Sequence, residues 1–131
     1  MKQAVCILVP RGDLFLGVSR KDNHELFGLP GGKVESLDFS IASAAKRELW
    51  EETGIMSMGQ PPYDLTYLFD APCGRFQSTC YLYVGATENL DPTSSEEGII
   101  SWCTREQLIS GPFGEYNKRA FEEYDRYVQS R

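Results

Sequence analysis

The amino-acid sequence predicts an α/β or α+β domain in which helices pack on a mixed β-sheet. Two observations support this prediction. Short apolar runs with strand-like alternation occur in both halves of the chain, and segments with helical spacing lie between and after them. The chain has 131 residues, 41% of them hydrophobic, with no internal repeat or low-complexity segment. We therefore expect one domain, residues 1–131, large enough for a sizeable core.

The N-terminal part of the chain predicts two strands. Residues 3–9 form a short β-rich run, and in residues 14–20 the apolar side chains alternate. Between them the sequence Pro-Arg-Gly-Asp at 10–13 is typical of a turn. We expect these two strands to form a hairpin.

Residues 40–54 predict a helix with a clear start and stop. Ser40 is a good N-cap, and Gly54 supplies a C-terminal stop. At about 100° per residue, two adjoining arcs appear on this helix. The residues of the apolar arc are Ile41, Ala42, Ala45 and Leu49, and those of the acidic arc are Glu48, Glu51 and Glu52. One edge should therefore pack, while the next edge is acidic.

The second half of the chain predicts strands followed by two helices. Residues 65–69 and 75–84 have strand character around a turn at 72–74, and residues 99–102 form a further short strand. Thr104 and Gln107 form a capping box that opens a short helix to about residue 109. A last helix is expected over about residues 115–129, where aromatic side chains recur at helical spacing.

Composition limits the functions that the chain can have. A formal net charge of −6 argues against a protein that holds duplex DNA or long RNA, since such proteins present a basic face. A nucleotide ligand remains compatible, because a divalent cation can bridge acidic protein and phosphate.

The four cysteines lack a CxxC pair, which favours reduced thiols over zinc or disulfides. The apolar run at residues 4–9 is too short for a signal peptide or a membrane span, so we expect a cytoplasmic protein.

The acidic helix edge suggests a metal site. Three crowded carboxylates repel one another and demand a counter-charge, and Mg²⁺ takes oxygen ligands that it can share with substrate phosphates. Gly31 and Gly32 precede this helix and would let the backbone approach an ion or a phosphate closely. The alternative is a solvated face with an i, i+4 ion pair between Arg47 and Glu51.

The combination of these residues resembles the signature of the Nudix hydrolase family, G-x5-E-x7-R-E-U-x-E-E-x-G-U, where U is apolar. Gly-Gly-Lys-x-Glu begins at residue 31 and Arg-Glu-Leu-x-Glu-Glu-x-Gly-Ile at residue 47. The resemblance implies an α/β/α sandwich with a mixed sheet, in which residues 26–30 form a strand that leads into the signature loop.

The same resemblance implies a role for each matching residue. Glu51 and Glu52 would be metal ligands, and Glu48 a ligand or the general base. Arg47 would orient the carboxylates. The carbonyl of Gly32 would be a further ligand, and Lys33 would contact a phosphate.

One position departs from the signature. The first Glu of the pattern falls on Asp38, and the spacing from Asp38 to Arg47 is one residue longer than the pattern allows. We expect the extra residue to lie in the loop at residues 36–39, before the Ser40 cap. The role of Asp38 beside Arg47 is left open.

Five further residues are candidates for the site, and each could instead be an ordinary packed or solvated side chain, the two glutamates as a charged loop end. Family members often supply one more carboxylate just before a strand that carries Trp, which implies Glu97, with Glu96 close behind. Arg20 could reach a phosphate or base, or lie solvated at a strand end. Tyr81 could stack on a base, or pack under a helix. Asn117 matches a place where MutT-like members read a guanine-type base, although Asn is also an ordinary first-turn residue.

The resemblance predicts an Mg²⁺-dependent pyrophosphohydrolase, with Mn²⁺ as a possible substitute. Its substrate would be a nucleoside diphosphate linked to another group. The leading expectation is a (d)NTP, which would be cleaved to the monophosphate and pyrophosphate. The alternatives are ADP-ribose, a dinucleoside polyphosphate or an NDP-sugar, or a non-catalytic module that binds a nucleotide. The expected partner is this small molecule, with no long nucleic acid and no membrane, in a monomer or homodimer.

Overall fold

The computed structural model of the chain describes residues 2–58, 63–92 and 98–131. Its strands are β1 (Lys2–Leu8), β2 (Pro10–Arg11), β3 (Leu14–Ser19), β4 (Phe27–Gly28), β5 (Gly31–Lys33), β6 (Leu65–Cys73), β7 (Phe76–Tyr83) and β8 (Ile100–Cys103). Its helices are α1 (Ile41–Thr53), α2 (Arg105–Ile109) and α3 (Gly114–Gln129). The order of strands and helices is close to the one that the sequence predicts.

The strands form two sheets. The first has the order β5-β1-β7-β6, with β1 parallel to β7 and the other neighbours antiparallel. In the second, β2, β4 and β8 all pair antiparallel with β3. The first sheet lies between the helices, because Val5 and Ile7 share a core cluster with Leu49 of α1, while Leu8 shares one with Phe121 of α3. The predicted α/β/α sandwich with a mixed sheet is confirmed.

The predicted hairpin between residues 3–9 and 14–20 is wrong. Strand β1 pairs with β5 and β7, and of the predicted first strand only the Val9 carbonyl bonds to β3, accepting the Leu16 N–H at 3.0 Å next to the two residues of β2. The reason is that β1 is apolar on both faces, with every side chain from Val5 to Leu8 buried. Such a strand belongs in the centre of a sheet that is covered on both sides.

Helix α1 begins and ends where the sequence predicts. The Ser40 side chain accepts a hydrogen bond from the Ser43 N–H at 3.1 Å. Gly54 adopts the left-handed conformation, with φ of 75°, and its N–H donates to the Trp50 carbonyl at 2.9 Å. Leu49 is fully buried against the first sheet. These contacts fix the rotation of α1, and hence the direction of its acidic edge.

The C-terminal half follows its predicted pattern with small shifts. Gly74, with φ of 60°, turns the chain between β6 and β7. The capping box of Thr104 and Gln107 is present at the start of α2, and α3 begins one residue earlier than predicted, at Gly114. Among the helices of the described residues, none has the length and apolar character needed to cross a membrane.

Two neighbouring residues of α1 provide a test of the packing. Leu49→Ala should lower the free energy of unfolding by about 2–5 kcal/mol, because it leaves a cavity in the core. Trp50→Ala, one position along on the exposed side, should cost about 1 kcal/mol or less. Urea denaturation of both variants measures the difference, and equal losses would contradict the assigned rotation of α1.

Candidate active site

The guanidinium of Arg47 lies at the centre of the acidic site. Its Nε and Nη2 donate to the two carboxylate oxygens of Asp38, both at 3.0 Å. Its Nη1 donates to Glu48 Oε1 at 2.9 Å and to Glu51 Oε1 at 3.0 Å, and Nη2 also donates to the Lys33 carbonyl at 3.0 Å. A guanidinium has five N–H donors, so these five bonds use all of them. The neighbouring carboxylates, Asp38 first, raise the pKa of Arg47.

Asp38 takes the place beside Arg47 despite being shorter than Glu. Its side chain is 7% exposed, and one of its oxygens also accepts the Glu35 N–H at 2.7 Å. The Arg47 guanidinium and this N–H hold the pKa of the Asp38 carboxyl below its usual range. The Asp38 N–H in turn donates to the Glu35 carbonyl at 3.0 Å, so a tight turn lies next to Arg47. The one-residue-longer loop therefore still delivers a carboxylate to the arginine.

The other carboxylates of α1 lie against the two glycines of β5. Glu52 Oε1 accepts the Gly31 N–H at 2.6 Å. A Cβ at Gly32 would lie 2.5 Å from Glu48 Oε1, so the absent side chain leaves room for that carboxylate. Glu48 and Glu52 are each 9% exposed, whereas the side chain of Glu51 is 43% exposed. The acidic edge thus has two buried carboxylates, those of Glu48 and Glu52, and one exposed carboxylate, that of Glu51.

The donor chemistry of this edge fits a hard divalent cation, which prefers carboxylate and carbonyl oxygens. Within residues 2–58, 63–92 and 98–131, no three His, Cys, Asp or Glu side chains lie close enough together to hold an ion. Arg47 separates the carboxylates of Glu48 and Glu51, and Glu52 turns to the Gly31 N–H. The predicted extra ligand, Glu97 or Glu96, lies outside the described residues.

A cavity of about 250 Å³ opens on the other face of β5. Its walls come from β1, β5, β6, β7, the segment before β5 and the start of α3. They are formed by Ala4, Val5, Cys6, Leu29, Gly31, Gly32, Lys33, Cys73, Phe76, Ser78, Phe113, Tyr116 and Asn117. The glycines and Lys33 therefore border both the acidic edge and the cavity. Sequence reasoning identified Lys33 and Asn117 here but missed Ser78, Phe76 and Phe113.

Asn117 is 2% exposed at the back of this cavity. Its Nδ2 donates to the Leu108 carbonyl at 3.0 Å, and a carbonyl partner requires the amide nitrogen on that side. The side-chain oxygen Oδ1 is therefore turned away from Leu108. Two aromatic rings, Phe76 and the half-exposed Phe113, line the same cavity.

Two predicted substrate contacts lie elsewhere. Arg20 is exposed and pairs with Asp22 at 2.8 Å. Tyr81 packs against the core cluster on the α1 side of the sheet, where its ring meets that of Tyr67 edge-on at 6.4 Å. Neither lines the cavity, which lies on the α3 side. Their contacts with a substrate stay predictions.

Comparison with known proteins identifies a family. A family model described as NUDIX domain matches residues 2–126. No curated protein is significantly similar to the chain in sequence. A MutT protein from Methanosarcina mazei has a similar structure, with 26% identity, a TM-score of 0.64, and coverage of 97% of this chain and 94% of that one.

Two further solved structures share the fold. The NUDIX domain of Shewanella oneidensis NrtR, complexed with ADP ribose, is 21% identical with a TM-score of 0.68, covering 96% of this chain and 87% of that one. A C. elegans Ap4A hydrolase in a binary complex is 17% identical with a TM-score of 0.67, covering 98% of this chain and all of that one. At these identities the likeness shows the fold alone.

The pairing of Asp38 with Arg47 gives a testable difference. Asp38→Asn should lower the free energy of unfolding, because it weakens a two-bonded, charge-assisted pair that is partly shielded from solvent. Asp22→Asn breaks an exposed pair with Arg20 and should lower the free energy of unfolding less. Chemical denaturation at pH 7 compares the two variants, and equal costs would show that Asp38 does not hold Arg47.

The two glycines of β5 should respond differently to alanine. At Gly31 a Cβ would collide with the backbone carbonyl of Val5, whereas at Gly32 it would meet the movable end of Glu48. Gly31→Ala should therefore lower the free energy of unfolding by about 1–3 kcal/mol, as overpacking does. Gly32→Ala should cost less than Gly31→Ala, and the reverse order in thermal melting would contradict this geometry.

Proposed function

This chain belongs to the NUDIX domain family, and we propose that it cleaves the pyrophosphate of a nucleoside diphosphate linked to a further group. The substrate that we favour is a (d)NTP, which would yield the monophosphate and pyrophosphate. The observation that carries this proposal is the position of β5. Its glycines and Lys33 lie between the acidic edge of α1 and a cavity lined by aromatic rings.

The proposal includes Mg²⁺, for which Mn²⁺ could substitute. Glu48, Glu51, Glu52 and the Gly32 carbonyl would hold it, together with Glu97 or Glu96. The metal ion would supply a water of lowered pKa and would stabilise charge on the phosphoryl group.

The residues of this chain would prepare the reaction. Arg47 holds Glu48 and Glu51 in place through its fork of donors. Glu48, which lies on the protected side of the edge, would take the proton from the attacking water on a carboxylate oxygen. Lys33 would neutralise phosphate charge, since it lines the cavity and lies one residue beyond Gly32.

The size of the cavity supports a base as its occupant. A volume of about 250 Å³ is just below the range of roughly 300–1,000 Å³ that holds a whole drug-sized ligand. It therefore suits one flat ring system, with the ribose and phosphates outside, along β5. Phe76 and Phe113 offer faces for stacking, and Asn117 offers an amide oxygen to the base.

A dinucleoside polyphosphate is the second candidate. Leu37 and Phe39 flank Asp38 and are 93% and 101% exposed, although Asp38 itself is fixed beside Arg47. Two apolar side chains held next to the acidic edge could contact a second nucleoside beyond the pyrophosphate. The Ap4A hydrolase named above shares the fold with this chain. ADP-ribose and NDP-sugars remain further alternatives within the family.

The remaining parts of the proposal concern the whole protein. We propose one domain over residues 1–131, acting on a small nucleotide in the cytoplasm as a monomer or homodimer. A module that binds a nucleotide without cleaving it would not need the full set of carboxylates. Glu48 and Glu51 are both held by Arg47, and Glu52 lies on the same helix against the Gly31 N–H, which supports catalysis instead.

Glu51→Gln provides the test of hydrolysis. With Mg²⁺ present, the wild type should release pyrophosphate from (d)NTPs, detected as phosphate after coupling to inorganic pyrophosphatase, and Glu51→Gln should lower kcat at least about a hundredfold. Chelation by EDTA should abolish turnover, and added Mn²⁺ should restore it. Glu122→Gln, the same change on the exposed side of α3, is the control and should leave kcat unchanged.

The products of the wild type, separated by chromatography from a reaction without the coupling enzyme, distinguish the candidates. Pyrophosphate with a mononucleotide supports the (d)NTP reaction, and two nucleotides support the dinucleoside polyphosphate. Turnover of Glu51→Gln at the wild-type rate would overturn the assignment of the acidic edge. No turnover on any of these substrates, with nucleotides still raising the melting temperature, would favour the binding module.

A further inference from the structure

Two polar side chains in the wall of the cavity have an atom with no hydrogen-bond partner. Ser78 is 5% exposed and Asn117 is 2% exposed, and both line the cavity. Within the described residues, no group bonds to Ser78 Oγ or to Asn117 Oδ1. Yet no polar side-chain atom of these residues is both fully buried and unpartnered. Both oxygens must therefore be reachable by solvent, and the cavity is the space that reaches them.

The register of β7 explains why the Ser78 hydroxyl is open to the cavity. Ser78 lies opposite Ala4 of β1 and Ala71 of β6. Neither neighbour has a side chain long enough to cover the hydroxyl. Alternation along β7 places Ser78 on the same face as Cys80, which belongs to the core cluster on the α3 side. The hydroxyl thus points to the face that also carries Asn117.

Two further polar side chains of the wall, those of Cys6 and Tyr116, are engaged within the protein. The Cys6 thiol donates to Tyr116 Oη at 3.5 Å, and Tyr116 Oη–H donates to the Ser78 carbonyl at 3.3 Å. Burial raises the pKa of Tyr116 and keeps this hydroxyl protonated. The donors of Cys6 and Tyr116 are consequently satisfied within the protein. Asn117 Oδ1, a fixed acceptor, and Ser78 Oγ, a rotatable hydroxyl, are left to meet a ligand.

We propose that Ser78 is a specificity-determining residue that reads the edge of the nucleobase together with Asn117. Asn117 Oδ1 accepts a hydrogen bond from an N–H of the base. The Ser78 hydroxyl rotates to donate to a ring nitrogen or carbonyl oxygen on the same edge. This inference rests on the proposed function, because it assumes that the cavity takes the base of the substrate.

Ser78→Ala is the direct test, since it removes the hydroxyl and leaves the backbone carbonyl that Tyr116 uses. Calorimetric titration of AMP, GMP, CMP and UMP in the presence of Mg²⁺ gives the ranking of the four bases. Pyrophosphate, titrated under the same conditions without a nucleotide, reports on the phosphate side of the site. Ser78→Ala should weaken the best-bound nucleotide about fivefold to tenfold. It should reduce the differences in Kd among the four nucleotides and leave the Kd for pyrophosphate unchanged.

Thr79→Val is the matched control. Thr79 is the next residue of β7, is also buried, and does not line the cavity. Removal of its hydroxyl should leave the ranking of the bases unchanged. Thermal melting of both variants checks that the fold is retained.

The outcomes separate this inference from the proposed function. If Ser78→Ala keeps the wild-type ranking, or weakens pyrophosphate as much as the nucleotides, the inference is overturned while hydrolysis by the wild type still stands. If the wild type binds pyrophosphate and all four nucleotides equally well, base reading is overturned as well. If the wild type neither binds nor hydrolyses any nucleotide, the proposed function is overturned together with the inference.

Discussion

The site depends on the five hydrogen bonds of one guanidinium. Arg47 joins the turn that carries Asp38, the Lys33 carbonyl at the end of β5, and Glu48 and Glu51 of α1. Without this positive charge the carboxylates would repel one another and the turn would lose its contact with the helix. The geometry of the fork also matters, because a lysine could not make two parallel bonds to Asp38. Arg47 thus fixes both the acidic edge and its distance from β5.

How much of this could be predicted from the sequence depends on how local each signal is. Helix α1 was predicted to the residue because Ser40, Gly54 and the helical spacing all lie within the helix itself. The pairing partners of β1 were not predicted, because β7 begins almost seventy positions after β1 ends and no local pattern specifies that pairing. For the same reason the sequence predicted the strand β7 but not the cavity that Ser78 lines. The cavity lies between β5 and the start of α3, which are far apart in the sequence.

The two glycines of β5 show how one short strand serves two faces of a sheet. Gly31 is needed because β1 passes close to it, while Gly32 leaves space for the Glu48 carboxylate. A side chain at Gly31 would push β5 away from β1, and one at Gly32 would displace the Glu48 carboxylate. Because β5 has no side chain at these two positions, the acidic edge and the cavity lie next to each other. The proposed substrate would then place its base on one side and its phosphates on the other.

The charge of the protein supports the proposed metal ion. The chain carries a formal net charge of −6, and its substrate would also be an anion. Arg47 cannot neutralise a phosphate, because all of its donors are used by the protein. Lys33 supplies one charge at the border of the cavity, which is less than a di- or triphosphate carries. A divalent cation between carboxylates and phosphates would supply the difference, so affinity for the phosphates should depend on the metal and affinity for the base should not.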